Sequence, residues 1–310
     1  MEVVHGYRDL PRPLVRPAIA IGNFDGVHVG HAALIAAARA ATDGDVGVLT
    51  FEPHPAQVLA PQAAPARLTT PARKLELLAA AGVDVAIVAP FTRELAAHTA
   101  AAFVDEILAG ALGARHVVVG ADFCYGRGRA GTVATLTADG ARAGFATIVV
   151  PPVVVGDRPA SSTRARAALA AGDLDGARAV LGHGYDVDGV VVRGAGRGKG
   201  LGIPTANVAP DGAILASPGI YAVTLARLDR GGAPLAAVAS LGTNPTFVEG
   251  GGLVLEVHVL DFDADLYGER VRVEFAARLR DEARYDSVAA LLAQIDRDIA
   301  DARARLSGSR

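Results

Sequence analysis

The run Gly22-Asn23-Phe24-Asp25-Gly26-Val27-His28-Val29-Gly30-His31 closes a short apolar strand, Ala18 to Ile21, and opens a helix with apolar periodicity. A strand that turns through glycines directly into a helix points to a parallel sheet covered by helices, in which ligands bind beyond the carboxyl ends of strands. The free N–H groups and positive dipole end of the helix attract an anion there, and glycines 22, 26 and 30 are expected to let backbone approach it closely. With a helix start near Val27, His28 and His31 share one face at its first turn. Two imidazoles in that position can donate hydrogen bonds to the charge that develops when a phosphoryl oxygen displaces pyrophosphate.

Length allows two domains: the chain has 310 residues, of which 51% are hydrophobic and 20% charged. The formal net charge of −3, with no run rich in lysine or arginine, leaves no electrostatic case for nucleic acid or an anionic membrane. Small molecules are the expected partners, and the oligomeric state is not legible. No apolar stretch reaches the ~18 residues of a membrane helix. A single cysteine, Cys124, rules out an internal disulfide, and no charged-then-apolar leader is read, so the expected compartment is cytoplasmic. Basic residues are almost all arginine; the only lysines are Lys74 and Lys199.

Up to Leu181 the chain alternates buried strands (46–51, 83–89, 116–120 and 147–150) with helices (32–41, 71–81, 99–113 and 133–143), the signature of a parallel sheet covered on both faces. After Leu181-Gly182-His183-Gly184 the texture changes to period-two runs at 187–193, 221–228, 235–241, 253–262 and 271–275. These predict a small antiparallel barrel. A final helix over 287–306, capped by Asp286 or Ser287, packs across it. The boundary falls near 182–187, giving domains 1–183 and 184–310.

Further residues carry chemistry. Ser161-Ser162-Thr163-Arg164 precedes a strong helix former, where hydroxyls cap the helix or bind phosphate, with Arg166 nearby. Asp122 and Phe123 follow the strand ending at Gly120; they form either a polar loop with a buried aromatic or a ligand contact. In Phe51-Glu52-Pro53-His54-Pro55 the prolines fix a rigid loop, and His54 is either a ligand contact or a turn residue. The glycine-dense segment containing Gly196, Gly198, Lys199 and Gly202 is not a Walker loop, since Gly200 follows Lys199. It runs into Ile203-Pro204-Thr205-Ala206-Asn207, where period-two spacing points Thr205 and Asn207 the same way. Neutral oxygens on a rigid loop suit Mg²⁺. Between Leu253 and Leu260, Glu256 and His258 face away from the apolar residues; such an acid is either paired structurally or a base, and spacing does not decide.

These motifs in this order resemble the bacterial bifunctional riboflavin kinase/FMN adenylyltransferases, the prokaryotic FAD synthetases. The resemblance rests on G-N-F-D-G-V-H-x-G-H, F-E-P-H-P at 51–55, G-A-D-F-C-Y-G at 120–126, S-S-T-R at 161–164, G-I-P-T-A-N at 202–207 and L-E-V-H at 255–258. It implies an α/β nucleotidyltransferase domain with a Rossmann-like parallel sheet, followed by a β-barrel domain with a C-terminal helix. It implies two reactions, each using ATP with Mg²⁺: riboflavin to FMN in the barrel, and FMN to FAD in the first domain. The implied ATP site of the first domain comprises Gly22, Asn23, Phe24, Asp25, His28, His31, Ser161, Ser162, Thr163 and Arg164, with Asp122, Phe123 and His54 toward the flavin. In the barrel, Gly196, Gly198, Lys199, Gly202, Thr205 and Asn207 bind ATP, Thr205 and Asn207 hold Mg²⁺, Glu256 is the general base, and Arg280 and Glu282 close on the flavin. His258 is expected to be structural. Departures from the family pattern are Ala160, Ala165, Lys199 for arginine, Ile203 for phenylalanine and Tyr285 for phenylalanine. A chain with one live activity, and a flavin-sensing module without catalysis, are the rival readings.

Overall fold

The alternation of strands and helices is realised as a six-stranded sheet of β1 (Glu2–His5), β2 (Ala18–Ile21), β3 (Val46–Glu52), β4 (Val85–Pro90), β5 (His116–Gly120) and, after a ribbon of β6 (Cys124–Tyr125) and β7 (Gly131–Thr132), β8 (Ala146–Val150). Its spatial order is β1-β4-β3-β2-β5-β8 and every neighbouring pair is parallel. This computed structural model describes residues 1–8, 10–194, 202–243 and 253–307. Two compact units result, Met1–Ser161 and Ser162–Arg310.

Both faces of the sheet are buried, as continuous apolar strands require. Ile19, Ile21, Leu49, Ile87 and Val117 enter one core with Val104, Ile107 and Leu108; Ala18, Ala20, Val46, Val48 and Val118 enter the other with Leu34, Ile35 and Ala38 of the helix Val29–Ala41. The segment expected as an ordinary helix over 99–113 widens to π spacing over Phe103–Ala111, with Leu112 N–H bonding to the Ile107 carbonyl at 2.9 Å. From β2 the chain moves outward through β3 and β4, then returns to the opposite side of β2 as β5. The crevice beyond β2 is therefore the topological switch point of the sheet, where open α/β folds bind ligands. The run Gly22–His31 leaves β2 there.

The second unit opens with the helices Ser162–Ala170 and Leu174–Leu181. A closed antiparallel barrel follows, with order β11-β12-β15-β14-β13-β16; the first unit ends its strands with the ribbon β9 (Val154–Val155) and β10 (Arg158–Pro159). Barrel strands are β11 (Tyr185–Val192), β12 (Ala206–Pro210), β13 (Gly219–Arg227), β14 (Leu235–Thr243), β15 (Leu253–Val259) and β16 (Arg270–Arg280). Tyr221, Val223, Leu241, Leu255, Val257, Val273 and Phe275 are fully buried in its core. The unit begins before residue 184 because Leu174–Leu181 packs on β11 and β16 and the Leu169 carbonyl accepts from Ser217 N–H at 3.1 Å. The final helix, Val288–Ser307, lies on β13, β14 and β16, and Ser287 Oγ accepts from Ala290 N–H at 3.2 Å as its cap.

Two candidate active sites

The helix after β2 starts at Val29, two residues later than its sequence suggests, because His28 is its N-cap. His28 Nδ1 accepts from the backbone N–H of Gly30 at 3.1 Å and of His31 at 3.3 Å; His31 Nδ1 accepts in return from His28 N–H at 3.2 Å. This reciprocal box assigns the tautomers. With each Nδ1 an acceptor, the neutral rings carry their proton on Nε2, leaving two N–H donors side by side. The rings stack at 3.7 Å between centroids. Burial lowers the His28 pKa to about 4 against a partial restoring effect of Asp25, and burial, His28 and Lys74 push His31 well below the ordinary histidine range. Both are neutral donors at pH 7.

The glycines serve this geometry differently than expected. A Cβ on Gly30 would stand 2.9 Å from His28 Cε1, and one on Gly22 would meet the Phe24 ring at 3.2 Å. Gly22 and Gly30 thus make room for the Phe24 and His28 rings. Left-handed backbone occurs at Phe24 (φ +52°), Gly26 (φ +79°) and Val27 (φ +36°), and two of these are non-glycine residues, a strain characteristic of ligand-binding turns. Phe24 is fully buried, 4.9 Å from the His31 ring. Asp25 is buried and accepts from Leu68 N–H at 3.0 Å and Thr69 N–H at 3.2 Å, anchoring the loop before the helix Pro71–Ala80. His54 caps the helix Pro55–Leu59 through Ala56 N–H at 3.2 Å, and its Nε2 lies 3.3 Å from the exposed Asn23 amide.

Asp122 and Phe123 follow β5 at the same sheet edge. Phe123 stacks on Tyr125 at 5.6 Å and 12°, and Tyr125 is buried against Phe103. The Ala160 carbonyl comes within 4.0 Å of the space a Gly30 Cβ would fill, so the chain passes beside the histidine turn just before Ser161. Ser161 closes the first unit; Ser162, Thr163 and Arg164 open the second at the start of the helix Ser162–Ala170. Ala165 is fully buried, so its small side chain is a packing feature.

In the barrel, β12 was expected only as a rigid extended loop. As a strand it places Asn207 directly opposite Glu256 on β15, and Glu256 opposite Ser240 on β14. Directly opposed residues share a face. That face is the outer one, since Leu255, Val257 and Val259 point into the core. Asn207 packs against the Gly194 α-carbon, where a Cβ would lie 2.1 Å from Nδ2; Glu282 fills the same kind of cradle over Gly242. Gly242 is two residues from Ser240, so Glu282 joins the face that carries Asn207 and Glu256. His258 Nδ1 donates to the Pro204 carbonyl at 2.8 Å, which ties the Pro204-Thr205 turn to β15. Arg280 is engaged elsewhere: its guanidinium makes a bidentate pair with buried Asp298 of the final helix, Nε–Oδ1 2.9 Å and Nη2–Oδ2 2.7 Å. Gly202 is described, but Gly196, Gly198 and Lys199 lie outside the described residues. Asp298 and Arg67 gave no sequence signal; Glu52 stood out only as a member of the F-E-P-H-P motif and Lys74 only as one of two lysines in an arginine-rich chain.

Residues 13–164 match the family described as FAD synthetase and residues 181–306 the family described as riboflavin kinase. The chain is similar to proteins named bifunctional riboflavin kinase/FMN adenylyltransferase. It is 40% identical over 309 residues to that of Pseudomonas fluorescens, covering 98% of this chain and 97% of the relative. Identity is 39% over 309 residues to that of Escherichia coli strain K12, with the same 98% and 97% coverage, and 32% over 306 residues to that of Bacillus subtilis strain 168, covering 96% and 95%. A solved chain from Streptococcus pneumoniae, described as a macrolide-efflux protein, is 29% identical with a TM-score of 0.87, covering 98% of this chain and 99% of that one. No helix among the described residues is long and apolar enough to cross a membrane.

Proposed function

Since the chain belongs to the bifunctional riboflavin kinase/FMN adenylyltransferases, converting riboflavin to FMN and FMN to FAD, we propose that the histidine turn beyond β2 is the adenylylation centre and the Asn207–Glu256 face of the barrel the kinase centre. The functional division is proposed at residues 1–183 and 184–310; the family matches at 13–164 and 181–306 support a change of function in the stretch between them. The observation that carries this reading is the pair of neutral Nε2–H donors held by a capping box at the switch point of the sheet. In adenylylation an FMN phosphate oxygen attacks the α-phosphorus of ATP, the α–β bridging P–O bond breaks and pyrophosphate departs. Preorganised donors stabilise the charge gathering on the phosphoryl oxygens at no cost of reorganisation. His28 and His31 supply them and Phe123 with Asp122 takes the flavin; for Ser161, Ser162, Thr163 and Arg164 it is the family's S-S-T-R motif that supports a role in binding the triphosphate.

In the kinase reaction the Glu256 carboxylate accepts the proton of the ribityl 5′-hydroxyl as its oxygen attacks the γ-phosphorus and ADP leaves. Thr205 and Asn207 fit Mg²⁺: they offer neutral oxygens, the Asn207 amide sits in a cradle at Gly194, and among the described residues no cluster of acids, histidines or cysteines makes a complete metal cage. A hard cation that keeps water and phosphate ligands needs only such a partial set. Thr205 and Asn207 would hold it, and the bound cation would supply neutralisation of phosphate charge. Glu282 is proposed to close on the flavin, and Arg280 to place Glu282 through Asp298. Dependence on ATP supports a cytoplasmic site of action. The test is to supply the purified chain with riboflavin and ATP, with magnesium or with EDTA, and separate the flavins by chromatography. FMN and then FAD are expected with magnesium and neither with EDTA; undiminished FMN in EDTA would remove magnesium from the kinase centre.

A further inference from the structure

Beneath the histidine turn a cation is buried. Lys74, on the helix Pro71–Ala80, is 5% exposed, and among the described residues no other lysine or arginine is buried. Its Nζ donates to Glu52 Oε1 at 2.7 Å and to Thr50 Oγ1 at 3.3 Å, both on β3. From these two partners a chain of polar contacts runs in opposite directions. Thr50 Oγ1 donates to the Asn23 carbonyl at 3.1 Å. Glu52 Oε2 takes Arg67 Nη2 at 2.6 Å, Arg67 donates to Gln57 Oε1 at 2.8 Å, and that oxygen accepts His54 N–H at 3.1 Å. His54 Nε2 then meets the Asn23 side chain at 3.3 Å. The two arms close a ring on Asn23, the residue after Gly22.

We propose that Lys74 is a positioning residue for adenylylation: through Thr50 and Glu52 it fixes the Asn23 turn and the His54 loop, and it sets its charge against the stacked histidine pair. Composition supports the choice of cation. In a chain that uses arginine almost everywhere, position 74 keeps lysine, whose compact ammonium reaches Glu52 and Thr50 together. Lys74 acts on His31 from its helix, Asp25 on His28 from the turn, and His28 on His31; Glu52 on β3 pairs with both Lys74 and Arg67. With Lys74 charged, protonation of His31 is disfavoured and its Nδ1 stays available as the acceptor for His28 N–H.

The inference rests on the turn being the adenylylation centre, and the experiment separates the two. Full-length Lys74→Met, which keeps the aliphatic stem and removes the charge, is assayed for adenylation of supplied FMN across pH, with riboflavin phosphorylation on the same preparation as control. Adenylation is expected to fall about 10–100-fold, phosphorylation to stay within about twofold, and the acid limb of the adenylation profile to move to higher pH, because His31 then gains its proton more readily. Lys74→Arg, which restores charge, is expected to return the limb to the wild-type pH even where it slows the reaction. Should Lys74→Met not fold, Lys74→Gln, with an amide donor for Glu52 and Thr50, is read by the same criteria. An unmoved acid limb with only a lower thermal midpoint would reduce Lys74 to a structural ion pair and overturn the proposal. Full adenylation by His31→Ala would instead overturn the site itself.

Discussion

In the first unit the residues proposed to face the ligand also hold the fold together. His28 caps a helix, His31 completes that cap, Asp25 anchors the 68–69 backbone, and Asn23 and His54 belong to the ring around Lys74. In the barrel they do not. Among the described residues the side chains of Asn207 and Glu256 form no hydrogen bond or ion pair; they stand opposite each other on a half-exposed strand face whose packing is done by Leu255, Val257 and Val208 behind them. Structural pairing is delegated to Arg280 and Asp298, and to His258 on Pro204. One proposed site is preorganised by internal hydrogen bonds; the other, on the proposed reading, is a surface left for nucleotide and metal to complete. Substitution should therefore cost rate and stability together in the first, and rate alone in the second.

The largest expected effect tests the barrel side of this contrast. Glu256→Gln keeps volume and polarity but cannot take a proton, so phosphorylation of riboflavin should fall by about 10²–10⁴, while the thermal midpoint stays at the wild-type value. A lowered midpoint with turnover intact would make Glu256 structural. Smaller in rate but broader in consequence is His28→Ala. Loss of one preorganised donor should slow adenylation by about 10²–10³, and loss of the N-cap should remove about 1 kcal/mol of stability, read as a lower midpoint for the first unit in calorimetry. Slowed adenylation with no change in midpoint would break the contrast, since the ring would then not be holding the helix.

What the sequence discloses follows the same division. The histidine turn is legible because its backbone demands glycines and its two histidines sit at fixed spacing; alternation along 253–259 likewise separates Glu256 from the core. The helix start slips by two residues because histidine is not among the usual capping residues, although its Nδ1 accepts as a carboxylate would. β1 escapes notice as a four-residue edge strand, and β12 because Pro204 and Asn207 carry loop signals while its pairing partners lie far along the chain. The Lys74 ring is invisible for a related reason: its members come from β3, two loops and a helix, and no periodicity links them. Asp298 on a polar helix looks solvated, yet the fold buries it against Arg280.

Whether two separable reaction centres share this chain is tested most directly by assaying full-length Glu256→Gln and His31→Ala side by side, each supplied with riboflavin and MgATP and, separately, with FMN and MgATP, and resolving the products by chromatography. His31→Ala is predicted to accumulate FMN from riboflavin with little FAD from either substrate, and Glu256→Gln to make FAD from FMN while leaving riboflavin largely unconverted. If either substitution, in a chain that keeps its fold, silenced both reactions or neither, the assignment of one centre to each unit would be contradicted.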